Sequence, residues 1–180
     1  MQIPRCAAGC LVLALALAGC SQAPVAGARG LEALTPTPLP MPPPQERPAR
    51  QLDATAASAL EPTINLLAKA HAPGAKPLGP LAVASFAGGD TLEVVVSVQP
   101  GKCYTAIGIG APTITELDVV FHSQADARVV LAIDGQSGSQ AIVGRAPACY
   151  RWALPVTSTV AIDMTAAPGN GLAALQVFER

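Results

Sequence analysis

The sequence predicts a mainly β protein, an antiparallel sandwich of about seven or eight strands preceded by one short helix and a disordered, proline-rich tether. Three observations carry this expectation. From Leu81 onward, apolar residues recur with a period of two. Turn residues interrupt them about every 10–15 residues, the spacing of an all-β sandwich or barrel. Helical periodicity is confined to a short stretch before the strands, so no helical crossover is available to make the sheets parallel. The boundaries that follow are a leader at 1–19, a tether at 20–51, a helical segment at 52–80 and the sandwich at 81–180.

Taken in order, residues 1–5 are a short positive start and residues 6–18 are apolar and uncharged. An apolar run of about 13 residues is too short for the roughly 20 that a transmembrane helix needs and suits the apolar part of a signal peptide. It closes on Leu17-Ala18-Gly19-Cys20, a run that resembles the lipobox of bacterial lipoprotein precursors. That resemblance implies cleavage before Cys20, a diacylglycerol on its thiol and an acyl chain on its amine. Several chains matter because one fatty chain gives only reversible membrane binding. The next residue is Ser21, not aspartate, which in the family implies export to the outer membrane.

Residues 21–51 carry the run Thr35-Pro36-Thr37-Pro38-Leu39-Pro40-Met41-Pro42-Pro43-Pro44. Proline fixes φ and removes donors, so this segment reads as extended polyproline II without a core, a spacer. At about 3.1 Å per residue it could hold a domain up to roughly 90 Å from the lipid.

The helix comes next. Leu60, Ile64, Leu67 and Ala68 form an i, i+4, i+7, i+8 stripe, Asp53 is placed to cap a first turn, and His71-Ala72-Pro73-Gly74 ends the segment. Pro62 implies a kink or a restart, which favours a helix from 62 to 70. The strands follow. Leu92, Val94, Val96 and Val98 alternate with Glu93 and Ser97, then turn at Gln99-Pro100-Gly101-Lys102. Cys103, Thr105, Ile107 and Ile109 continue the period. Leu117, Val119 and Phe121 alternate with Asp118 and His122, and Val129, Leu131 and Ile133 lead to Asp134-Gly135. After a Gly/Ser/Gln loop come residues 149–154, then Val160, Ile162 and Met164, and finally residues 172–178.

Residues 92–178 also resemble the pre-peptidase C-terminal type of β-sandwich found on secreted bacterial peptidases. The resemblance rests on Gly101-Lys102-Cys103-Tyr104, on Thr115-Glu116-Leu117-Asp118 and on the closing strand, with a loose match at Cys149-Tyr150-Arg151. Glu116 stands where that family usually has aspartate. The resemblance implies a jelly-roll-like fold and an accessory role.

Composition excludes some functions. From Leu52 onward there are seven Lys/Arg against ten Asp/Glu and no basic run, so nucleic-acid binding has no electrostatic support. Aromatics are 3% of the chain, which leaves Tyr104, Tyr150 and Trp152 as candidate sugar-stacking groups. Beyond the leader and Cys20, Cys103 and Cys149 remain, an even pair that reads as a disulfide in an exported protein. Trp152 is expected to pack on it.

No catalytic motif is present. His122 and Asp118 share a strand face and could be written with Ser137 or Ser139 as a triad, but no Gly-x-Ser-x-Gly elbow supports it. The other mature histidine, His71, sits where it can bond the last helical carbonyls. Gly135-Gln136-Ser137-Gly138-Ser139-Gln140 lacks the lysine and helix of a phosphate loop and reads as a flexible loop. Glu116, Asp118 and Asp134 could converge at one end of the sandwich as oxygen donors for calcium, although no Asp-x-Asp-x-Asp-Gly run is present. The expectation is thus a non-catalytic, membrane-anchored binding or accessory module, with no cofactor beyond the lipid on Cys20. Its partner would be an envelope protein or polysaccharide. The alternatives are a lipid-anchored hydrolase and a calcium-stabilised adhesion or glycan-binding module.

Overall fold

A computed structural model describes residues 47–180. The expected leader, Cys20 and the tether up to residue 46 lie outside the described residues. The elements are β1 (Arg47–Pro48), β2 (Arg50–Gln51), α1 (Ala54–His71), β3 (Lys76–Phe86), β4 (Asp90–Val98) and β5 (Cys103–Gly110). They continue with β6 (Leu117–Ser123), β7 (Asp126–Ile133), β8 (Gln140–Val143), β9 (Tyr150–Arg151), β10 (Ser158–Ala166) and β11 (Gly171–Glu179). One sheet has the order β1-β4-β10-β6-β7, the other β2-β3-β11-β5-β8, with β9 also on β5. The mainly β sandwich expected from the alternation is what the chain forms, with eight strands of four residues or more.

Four expectations are corrected. The sandwich begins before Gln51, because β1 and β2 already pair, with β4 and β3 respectively. β1 runs parallel to β4, whereas the other pairings are antiparallel. The helical segment expected to reach residue 80 gives way to β3 at Lys76. Lastly, α1 runs unbroken from Ala54 through Pro62. Asp53 caps it as expected, accepting from the N–H groups of Thr55 (3.1 Å) and Ala56 (3.3 Å). Pro62 does not break the helix because both halves bury on the same surface. Ala56, Ala57, Leu60, Ile64, Leu67 and Ala68 all pack with Val83, Ile107, Ile109, Ala174 and Phe178 on the outside of the six-stranded sheet.

The main core lies between the sheets. Leu92, Val96 and Val98 of β4, Leu117, Val119 and Phe121 of β6, and Val160, Ile162 and Met164 of β10 face Tyr104, Ala106, Ala173, Leu175 and Val177. β5 is buried along both faces. Its alternation therefore separates two interiors: Tyr104 and Ala106 enter the inter-sheet core, and Ile107 and Ile109 lie under α1. At Gly108 the side chains of the facing sheet come close to the β5 backbone. A Cβ there would meet Met164 Sδ and Val119 Cγ2 at 3.1 Å. Gly144 combines φ +74° with backbone of Tyr104 and Tyr150 where a Cβ would stand, so only glycine fits.

Most connections cross between sheets. Only the β6–β7 hairpin joins sequential strands side by side through a short turn. α1 covers one outer face of the sandwich. No described element covers the other, the outer face of the five-stranded sheet.

Candidate functional site

The acidic residues are brought together at the pole built from the β5–β6 connection, the loop after β7 and the β10–β11 turn. Backbone bonds lace this pole, among them Leu117 N–H to Gly138 O (2.9 Å) and Ala167 N–H to Glu116 O (3.1 Å). Asp134 is buried; its Oδ1 accepts from Val119 N–H (2.7 Å) and its Oδ2 from Gln136 N–H (3.3 Å). Glu116 Oε2 accepts from Gly138 N–H (3.0 Å). Asp118 stands close enough to both that its carboxyl is held above the usual range, first by burial and then by the charges of Asp134 and Glu116. The three acids expected to converge do so, but Glu116 and Asp134 fasten a loop to the start of β6. Among the described residues no group of three or more His, Cys, Asp and Glu is placed to hold a metal ion.

These bonds correct the reading of residues 135–140 as a flexible loop. Both acids hold it, Gly110 N–H donates to Ser139 O (2.7 Å), and Gln140 already begins β8. Within it, Gln136 Nε2 is buried without a hydrogen-bond partner.

His122 does not join Asp118. Its Nε2 lies 3.4 Å from Asp163 Oδ2 on β10, both side chains being mostly buried on the outer face of the five-stranded sheet. The register explains this: His122 pairs across from Ala161, one diagonal step from Asp163, while Asp118 sits opposite Thr165. Sequence spacing could not foresee a partner 41 residues away. The His122–Asp118 pairing that the triad needed is thus replaced by a cross-strand pair.

The cysteines pair as expected. Cys103 on β5 is joined to Cys149, with Cα atoms 5.4 Å apart. Trp152 lies just beyond the two-residue β9 and is buried, its Nε1–H donating to Val156 O (2.7 Å). Tyr104 is fully buried, and Tyr150 packs edge-on against Phe121 with centroids 5.2 Å apart. None of these rings forms an exposed stacking platform. Tyr104 instead ties a network: its hydroxyl accepts from Gln99 N–H (2.7 Å) and donates to Glu179 Oε2 (3.2 Å), whose Oε1 meets Lys102 Nζ (3.2 Å). Burial, with the nearby Glu179 charge, pushes the phenol above its usual range against the opposing Gln99 bond. His71 ends α1 and titrates below its ordinary value, through burial first and the Arg145 charge second.

One concave surface went unforeseen. A groove of about 490 Å³ lies between α1 and β3, with Asp53, Glu61, Asn65 and Gln176 among its polar lining. Gln176 is buried, its Nε2–H donating to Gly79 O (3.2 Å) and Val177 O (3.0 Å). A lone glutamine inside the apolar run 172–178 was the available signal. The groove's walls are a helix and a proline-bearing strand.

No family model matches the chain, and no curated protein matches it. Among solved structures, the chain is similar to the pre-peptidase C-terminal domain of a collagenase from Bacillus anthracis. The identity is 18%, the match covers 56% of this chain and 89% of that one, and the TM-score is 0.43.

Proposed function

We propose that this protein is a lipid-anchored lipoprotein of the bacterial cell envelope, whose sandwich is a non-catalytic binding or accessory module. The observation that carries the anchor is Leu17-Ala18-Gly19-Cys20 closing an apolar run too short to span a bilayer. Among the described residues no helix is long and apolar enough to cross a membrane. Ser21 after the cysteine favours the outer membrane. Support for the non-catalytic role comes from how the titratable groups are engaged: His122 with Asp163, and Glu116 and Asp134 with backbone amides. The groove beside α1 is the surface offered to an envelope protein or polysaccharide.

Fractionation of cells expressing wild type and Cys20→Ala tests the anchor. Wild type should sediment with membranes and incorporate labelled palmitate. The variant should lose the label and leave the membrane fraction or persist as an uncleaved precursor. Label and retention unchanged in Cys20→Ala would overturn the proposal.

A further inference from the structure

The sheets leave four outer edges, and three are blunted against further pairing. β3 carries Pro77 and Pro80 on its open half and faces an irregular register at Leu175/Val177. β7 is interrupted by two register shifts against β6 and bears Arg128, whose side chain is 91% exposed. β8 has four residues. β4 has none of these devices. It pairs with β10 through eight uninterrupted positions, from Val98 opposite Ser158 to Thr91 opposite Thr165. Its stretch Leu92-Glu93-Val94-Val95-Val96-Ser97-Val98 contains no Pro, Gly, Lys or Arg and a single charge. A long, regular, apolar edge of this kind is a template for another strand.

The free register of that edge is bounded at both ends. Ala49 N–H donates to Thr91 O (2.8 Å), so the backbone of Thr91 faces outward and is already taken by the chain entering from β1. Because N–H and C=O groups alternate along a strand, Glu93, Val95 and Ser97 point the same way. Among the described residues β4 pairs only with β1, at Asp90 and Thr91, and with β10 on the other side. Beyond Ser97, Gln99 N–H is taken by the Tyr104 hydroxyl at 2.7 Å. The open stretch is therefore symmetric about Val95.

We propose that this edge is a homodimer interface, in which β4 of a second copy pairs antiparallel about a two-fold axis through Val95, joining the two five-stranded sheets. A two-fold contact must be self-complementary, and this register is. Glu93 meets Ser97 of the second copy and Val95 meets itself, each a pair that exchanges both backbone bonds. No like charges are opposed. On the inner face, half-buried Val94 falls opposite Val96 of the second copy, and Leu92 opposite Val98, so the edges of the two cores meet. Val95, 43% exposed on the outer face, becomes covered by its counterpart.

Cross-linking and sedimentation of the full chain test this. The Cα separation of about 5.5 Å in such a pair permits a disulfide. Under mild oxidant V95C should give a reducible dimer band that wild type and T159C, on the neighbouring strand, do not. S97K sets an ammonium opposite Glu93 of the other copy twice per dimer and should tighten association roughly threefold to tenfold. S97E sets like charges there and should weaken it by a similar factor. V95K brings two ammonium groups together on the axis and should give a folded monomer that melts cooperatively at a midpoint independent of protein concentration, unlike the wild-type dimer. In that monomer the amides at positions 93, 95 and 97 should exchange fast, whereas the wild-type dimer protects them. A monomeric wild type without V95C cross-linking would overturn the proposal, as would a dimer indifferent to S97E and V95K. Slow exchange at those amides in monomeric V95K would overturn it too, showing the edge covered by residues 1–46 of the same chain or by a co-purified peptide.

Discussion

Asp118 is the residue whose ionisation opposes the fold. Its carboxyl is held above the ordinary aspartate value of 3.8 by burial and by the neighbouring Asp134 and Glu116 charges. The folded state therefore binds the proton more tightly than the unfolded chain does, and stability falls as pH rises through the raised value. Below 3.8 both states are protonated and the penalty is absent. Asp118→Asn should raise the melting temperature at pH 7 by about 2–4 °C and leave it unchanged near pH 3. A thermal melt at the two pH values checks this, and a lower midpoint at pH 7 would contradict the electrostatic account. The sequence placed the three acids at one end correctly, because each flanks a turn. It could not show that two of them bond backbone amides, since those donors lie on another segment. Tyr104 teaches a related lesson. In the Gly101-Lys102-Cys103-Tyr104 stretch, the side chains of Lys102 and Tyr104 anchor β11 through Glu179.

At the level of elements, strands with one polar and one apolar face were legible: β4, β6 and β10 alternate as their burial does. β8 was not, because Gln140–Val143 is too short to show a period beside a Gly/Ser-rich loop. β5 gave the right period with a hidden meaning, since α1 covers the face that would otherwise be wet. That second burial makes Gly108 critical. An added methyl would stand 3.1 Å from Met164 and Val119 and force β5 away from β6 and β10. Gly108→Ala should therefore cost about 1–3 kcal/mol in urea unfolding. Gly135→Ala, with nothing within 4 Å, should be nearly neutral. Equal effects of the two substitutions would show that backbone entropy, not crowding, decides.

For the molecule as a whole, the disulfide was the long-range contact most readable from sequence, because two isolated cysteines without neighbouring His or Cys ligands have few other uses than each other. Its span of 46 residues, in the chain-entropy model, stabilises by about 3–4 kcal/mol. Replacing both Cys103 and Cys149 by serine should lower the melting temperature by on the order of 10 °C. Calorimetry with and without reductant on the wild type should give the same difference, and no difference would show that the bond does not stabilise the native state. The sheet order was not legible. Most connections jump between sheets, so a strand's neighbours lie far along the chain and local pattern carries no trace of them.

That strand order has a consequence for biogenesis. The last two described strands, β10 and β11, are interior to their sheets: β10 lies between β4 and β6, and β11 between β3 and β5. Until Ala166 has been synthesised the five-stranded sheet exists as two halves with nothing between them, and until Glu179 the six-stranded sheet does too. A growing chain therefore completes neither sheet until these two strands have been made and can enter the gaps left for them.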